Sequence, residues 1–164
     1  MRKLIIIALL LLSTPCIAAD FYIAQVANPT GDAQGGDCDN SHAIAGLSWG
    51  AGNDIEAGDT LHLCGTFTST LTIGDSGSSG SPYTIYFEED AKFSKANWGS
   101  YSSSAIYGSN KSYIIIDGGT NGIIENTDTG TAGSYGSQGL TTGVCFENAS
   151  TNNIEVKNLT IRNL

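Results

Sequence analysis

The chain has 164 residues, 40% of them apolar and 14% charged, with 16 acids against seven bases and a formal net charge of −9. Gly (21), Ser (18), Thr (16) and Asn (12) account for 67 positions, which argues against a coiled coil or helical bundle, since those are rich in Ala, Glu, Lys, Leu and Arg. The acidic balance argues against nucleic acid as a partner, because phosphate binding needs a basic footprint, and the length suits one domain or part of one.

Arg2 and Lys3 precede nine consecutive apolar residues, Leu4 to Leu12, and then Ser13-Thr14-Pro15-Cys16-Ile17-Ala18-Ala19. A basic start, a short apolar core and a small-residue cleavage zone make residues 1–19 a predicted secretory signal peptide. Nine apolar residues fall well short of the roughly 20 that cross a bilayer as a helix, so no membrane association is expected after cleavage. Cys16 as a lipoprotein acylation site is the competing reading, and Pro15 fits it poorly. Removing residues 1–19 removes two bases and no acid, leaving five bases against 16 acids, a net charge of −11. Export, to the periplasm or the exterior, means an oxidising compartment. Three cysteines remain there, Cys38, Cys64 and Cys145, so one bridge at most forms. Cys38–Cys64 is the expected pair, closing a loop of about 25 residues for on the order of 3 kcal/mol. Cys145 is then a small buried or half-buried thiol.

In chain order, residues 20–57 form a first unit. Phe21 to Ala27 is a short apolar run ending in the turn signal Asn28-Pro29-Thr30-Gly31. A loop through Gly35-Gly36-Asp37-Cys38-Asp39-Asn40 leads to Ala43, Ile44, Leu47 and Trp49 at helical spacing. That spacing predicts one short amphipathic helix over 42–48, ended by Gly50-Ala51-Gly52-Asn53. From 58 to 164 the pattern changes to apolar segments of three to five residues between Gly, Ser, Asn and Asp clusters. Leu61–Cys64, Leu71–Ile73, Tyr83–Phe87, Ala105–Tyr107, Tyr113–Ile116, Ile123–Ile124, Val144–Phe146, Ile154–Val156 and Leu159–Ile161 read as short strands. Asn126 to Thr142 reads as a loop excursion.

Tyr83–Phe87, Tyr113–Asp117 and Asn153–Lys157 superimpose as a loose repeat. Ile85 then lies over Ile115, or one step out, over Ile114. Without the excursion the repeat is about 23 residues, one turn of a parallel β-helix. Strands this short hold a sheet only by stacking turn on turn, with Ile piled on Ile inside.

Gly58-Asp59-Thr60-Leu61-His62-Leu63-Cys64-Gly65-Thr66-Phe67 resembles the first-turn signature of secreted right-handed parallel β-helix proteins, the pectate-lyase-like superfamily. Tyr113–Gly119 and Val156–Leu164 resemble its later rungs. The resemblance spans about residues 20–164. It implies an all-β solenoid in which the 42–48 helix caps the front end. It does not single out an activity, since lyases, hydrolases, epimerases and adhesins share the architecture. Because Leu159–Leu164 reads as a strand with no cap after it, the expectation is the N-terminal portion of a longer protein.

Candidate chemistry is sparse. Gly46-Leu47-Ser48-Trp49-Gly50 matches a nucleophile elbow but lacks the strand before it and the late histidine. Gly74-Asp75-Ser76-Gly77 lacks a partner motif, and Ser78-Ser79-Gly80 after it marks a plain turn. His42 and His62 read as an exposed helix residue and an outward strand residue. Asp32, Asp37 and Asp39 are the candidate Ca²⁺ ligands, without the full loop pattern. Asp117, Glu155, Lys157 and Arg162 should point outward if Ile154, Val156 and Ile161 point in, the face on which the resembled lyases assemble sites. Those lyases use a bound cation and a Lys or Arg base. No rung carries a matching acid and base cluster, so any catalytic machinery is expected beyond Leu164. The reading is an exported carbohydrate-active protein, a lyase or hydrolase on an acidic polysaccharide. The alternative is a non-catalytic adhesin or a glycan binder using Trp98, Tyr101 and Tyr107.

Overall fold

The computed structural model describes residues 18–27, 35–128 and 141–164. Residues 1–17 of the expected signal peptide with Cys16, the expected turn at 28–31, Asp32, and most of the expected 126–142 excursion lie outside these. The described residues form thirteen short strands. The first three are β1 (Asp20–Ala24), β2 (His42–Ala43) and β3 (Thr60–Cys64). After β3 come β4 (Thr66–Phe67) and β5 (Leu71–Thr72), then β6 (Tyr83–Phe87), β7 (Lys92–Lys95) and β8 (Ile106–Ser109). The same order recurs in β9 (Ser112–Asp117), β10 (Ile123–Asn126) and β11 (Val144–Glu147), and begins again with β12 (Asn152–Lys157) and β13 (Thr160–Arg162).

The strands build three parallel sheets, ordered β12-β9-β6-β3-β1-β2, β13-β10-β7-β4 and β11-β8-β5. From β3 onward the chain visits the sheets in turn, and each strand pairs with the one three later. Leu61 pairs with Ile85, Ile85 with Ile116, and Ile116 with Val156. The intervals are 24, 31 and 40 residues, so variable lengths are absorbed in loops and the register is kept.

Alternation places one face of every strand inside. Leu61, Ile85 and Ile116 from the long sheet meet Phe67, Phe93 and Ile124 from the second and Leu71 and Ile106 from the third, all essentially inaccessible. Phe67 and Phe93 stack at 5.0 Å between centroids. The sequence reading put Ile85 over Ile115 or Ile114; it lies over Ile116, and Tyr83 over Ile114. Tyr113 has φ +56° and leaves the pleat, so the inward residues of β9 are Ile114 and Ile116. Asn153 repeats this on the next strand at φ +52°, where the register passes from Asn152↔Ser112 to Ile154↔Ile114. Asn110, Asn148, Asn158 and Asn163 also take left-handed φ at strand ends, a conformation asparagine tolerates better than most residues. Gly118 has no room for a side chain, since a Cβ would strike the backbone of Asn158, which follows the neighbouring strand β12.

The predicted helix over 42–48 is not formed. His42 and Ala43 instead pair with Ile23 and Ala24 as an edge strand, and the Ile44 N–H donates to the Ala24 carbonyl (2.8 Å) rather than within a helical turn. Gly46, Gly50 and Gly52 with φ of +98°, +100° and +79° then force successive turns. The apolar spacing that suggested a helix is satisfied by a loop: Ile44, Leu47, Trp49 and Ala57 pack on the core and Ile55 is fully buried. Two short 3₁₀ turns, Cys38–Asn40 and Tyr101–Ser103, are the helical segments among the described residues. The expected Cys38–Cys64 disulfide is present, with Cα atoms 5.6 Å apart. It ties the first 3₁₀ turn to the end of β3.

Candidate functional site

Because alternate residues of a parallel strand share a face, the long sheet aligns Tyr22, His62, Tyr86, Asp117 and Lys157 in one row across five strands. These positions lie between inward residues such as Leu61 and Leu63 of β3 or Ile85 and Phe87 of β6. The row is the most functional-group-rich part of the outer surface of this sheet.

His62 lies near one end of the row, between Tyr22 and Tyr86. Nδ1 lies 2.6 Å from Glu88 Oε1 and Nε2 3.2 Å from Asp20 Oδ1. An ionised carboxylate only accepts, so the ring satisfies both neighbours when both nitrogens carry hydrogen. Tyr22 stacks on the imidazole at 4.3 Å and Tyr86 leans on its other side at 5.6 Å. Burial and the charges of Glu88, Asp20 and Asp37 raise the Tyr22 phenol above its usual range. His62 is thus an outward strand residue, as expected, but its side chain is only 14% exposed.

At the other end of the row, Lys157 Nζ lies 3.4 Å from Glu155 and 3.8 Å from Asp117. Burial raises the Asp117 carboxyl, but hydrogen bonds from Asn158 and the Gly119 N–H, with the charge of Lys157, outweigh it and hold the group below its usual value. The structure therefore brings together three of the four predicted outward residues. The fourth, Arg162, lies on β13 in the second sheet, where Nε donates to Glu125 Oε2 at 2.8 Å. The Arg162 and Ser94 hydrogen bonds hold Glu125 low despite its burial.

The other candidates disperse. Trp98 is fully buried, its indole N–H donating to the Glu125 carbonyl (2.9 Å), so it cannot line a glycan surface. Tyr101 is 61% exposed, and the Tyr107 hydroxyl donates to Glu147 (2.5 Å). Cys145 is a half-buried thiol whose titration is raised by burial and by Glu147. Ser48 donates its hydroxyl to Asp54 (2.6 Å) rather than to a histidine. Asp75 accepts from the Ser76 N–H, and the turn follows at Ser79-Gly80, closed by paired hydrogen bonds between Ser78 and Ser81. Asp37 caps Asn40 (2.8 Å). His42 is half-buried in an edge strand, its Nδ1 2.7 Å from the Ala43 carbonyl, and not on an exposed helix face. Among the described residues no group of three or more His, Cys, Asp or Glu is placed to hold a metal ion, and no helix is long and apolar enough to cross a membrane. A shallow depression of about 400 Å³ beside the disulfide is lined by small apolar residues and Ser41 and has no charged group.

Sequence reasoning missed the His62 cluster and Glu125. Leu61-His62-Leu63 does mark His62 as outward, but Asp20 and Glu88 lie 42 and 26 residues away. Only the register brings them there. Comparison with known proteins finds no matching family model, no matching curated protein and no matching solved structure. The chemistry of the row is what remains to argue from.

Proposed function

We propose that this chain is the N-terminal part of a secreted, carbohydrate-active right-handed parallel β-helix protein of the pectate-lyase-like kind, a polysaccharide lyase or glycoside hydrolase acting on an acidic glycan. The observation that carries this reading is that from β3 onward each strand pairs with the one three later in three parallel sheets, the order that a coil of three strands per turn requires. The outward row from Tyr22 to Lys157 then runs along the coil axis and offers a long ligand successive polar groups. The Cys38–Cys64 bridge suits an exported protein, periplasmic or extracellular. Val156 and Ile161, 46% and 44% exposed on the far edge, are side chains that a further turn of the same coil would cover.

A second reading, a non-catalytic adhesin or glycan-binding module of the same architecture, is favoured by one feature. Both nitrogens of His62 and the Lys157 ammonium are already engaged by carboxylates, so the described row is better suited to contact than to proton transfer. One assay separates the two. The full-length protein is incubated with polyuronates, with Ca²⁺ or chelator, and unsaturated or reducing products are followed. Product formation supports the enzyme; binding without turnover on any acidic polymer supports the module; neither binding nor turnover removes both.

A further inference from the structure

Asp59 is a buried carboxylate, 5% exposed, and none of the ion pairs among the described residues includes it. Its backbone is fixed from both sides: the N–H donates to the Glu56 carbonyl (3.0 Å), and the carbonyl accepts from the Thr84 N–H (3.0 Å). Each side-chain oxygen accepts from one backbone N–H, Oδ2 from Glu56 (2.7 Å) and Oδ1 from Ala19 (2.8 Å). The charge of Asp59, with those of Asp75 and Glu56, bears on the Tyr83 phenol, so its surroundings add negative rather than positive charge. A carboxylate withdrawn from water needs a counter-charge to offset its lost solvation. Ala19 is placed with equal definition. Its carbonyl accepts from the Thr60 N–H (2.9 Å), and the next residue, Asp20, pairs with Thr60 in the register of β1 on β3. Ala18 and Ala19 are both exposed, so removal of Ala18 opens no cavity.

The predicted signal peptide ends at Ala19, and this geometry moves the cut back by one residue. Cleavage after Ala19 would take away the Asp59 Oδ1 donor and the Thr60 N–H acceptor together, leaving a buried carboxylate and a backbone donor short of partners. Cleavage after Ala18 keeps both bonds and puts Cys16 and Ala18 at the two small-residue positions of the cleavage zone. Hydrolysis there breaks one C–N bond. The water oxygen goes to the Ala18 carbonyl carbon, which leaves as a carboxylate, and the Ala19 nitrogen becomes an ammonium in neutral water. That nitrogen is the atom already 2.8 Å from Asp59 Oδ1. We propose, resting on the export reading alone, that a signal peptidase cuts between Ala18 and Ala19 and that Asp59 is the receptor for the new N-terminus. Processing then converts a neutral donor into a charged one, roughly doubling the strength of the bond, and pins the start of β1 to the turn before β3. The maturation step thereby supplies the cation that the chain's side chains do not.

The test uses the full-length protein expressed with its own leader. Intact mass and N-terminal sequencing of the exported protein should give Ala19 as the first residue. A start at Asp20, at any other processed position, or at a lipidated Cys16 overturns the proposal and leaves export standing. A chain that keeps Met1 and is not exported overturns the export reading with it. Melting temperatures then read the charge. Inserting Gly-Ser between Ala18 and Ala19 keeps the cleavage positions and the Ala19 N–H but carries the ammonium away. It should lower the melting temperature by about 2 °C or more, and the gap should narrow in concentrated salt. Asp59→Asn should also lower it, and in that background the insertion should cost under about 1 °C, because its partner is already gone. No loss on insertion, or equal losses in both backgrounds, overturns Asp59 as the receptor. Where Asp59→Asn does not accumulate, the insertion still carries the test, since it changes no side chain of the fold: no loss, or a loss indifferent to salt, overturns the ion pair.

Discussion

The two ends of the stacked sheets contrast. At the front, Ile23 and Leu61 are fully buried because the 44–57 segment folds over them, with Ile55 itself inaccessible. At the far edge the same inward positions are open. In one column Ile85 and Ile116 are 0% exposed and Val156 is 46%; in another Phe93 and Ile124 are 0% and Ile161 is 44%. The alternation in sequence is the same in β9 and β12. Burial is therefore conferred by the next strand in the stack rather than by the residue, and the hydrophobic contribution of an inward side chain depends on its level in the column.

Truncation experiments should break this symmetry most clearly. Phe93→Ala, in contact with Phe67, Phe87 and Trp98, is expected to cost about 3–5 kcal/mol, whereas Ile161→Ala should cost less than about 1 kcal/mol. Denaturant midpoints at constant m-value read both, and equal costs would mean the far edge is covered in solution. Next in size, replacing Cys38 and Cys64 by Ser should destabilise the front end by about 3 kcal/mol. Hydrogen exchange should then accelerate first around residues 35–44 and leave the amides of β9 and β10 protected.

Titration sharpens the same comparison. Burial, with the charges of Asp75 and Asp59, pushes the Tyr83 phenol beside the front segment up to about 12. The unfolded phenol ionises near 10, so folding stability should fall between pH 10 and 12 by up to about 1.4 kcal/mol per pH unit. Tyr83→Phe should flatten that limb. Toward the far edge, Glu125 and Asp117 are held below their ordinary values of 4.5 and 3.8. Their contribution is present above those values and lost as pH falls through the lower folded ones. Both pairs reach solvent, so the acid-limb loss should be on the order of 1 kcal/mol. Glu125→Gln should remove part of it, measured as the melting temperature between pH 5 and pH 2.

Much of the β region was legible because alternation and turn residues are local signals. Leu61-His62-Leu63 and Tyr83-Thr84-Ile85-Tyr86-Phe87 each announce a strand with one inward face. The helix over 42–48 failed for a physical reason: an apolar spacing of three to four residues is also met by a loop that lies on a core, and β1 offered Ile44 a hydrogen-bond acceptor outside its own turn. The register failed because Tyr113 leaves the pleat, a conformation that nothing in Ser112-Tyr113-Ile114 advertises. Trp98 read as a surface aromatic because its partners, Glu125 and Asn126, lie 27 and 28 residues on.

By itself the sequence indicated most of the short strands with their polar corners, the apolar side of clearly alternating ones such as Leu61–Cys64 and Tyr83–Phe87, and Cys38–Cys64 as the expected pair. Those features depend on neighbours in the chain, or on a cysteine count that left few choices. The tertiary structure alone decided that Glu88 and Asp20 meet at His62, that Arg162 leaves Lys157 for Glu125, and that three of the five bases after residue 19 fall in one sheet. Each of these depends on which strand stacks on which, and that register is set by the summed packing of the whole core rather than by any single segment.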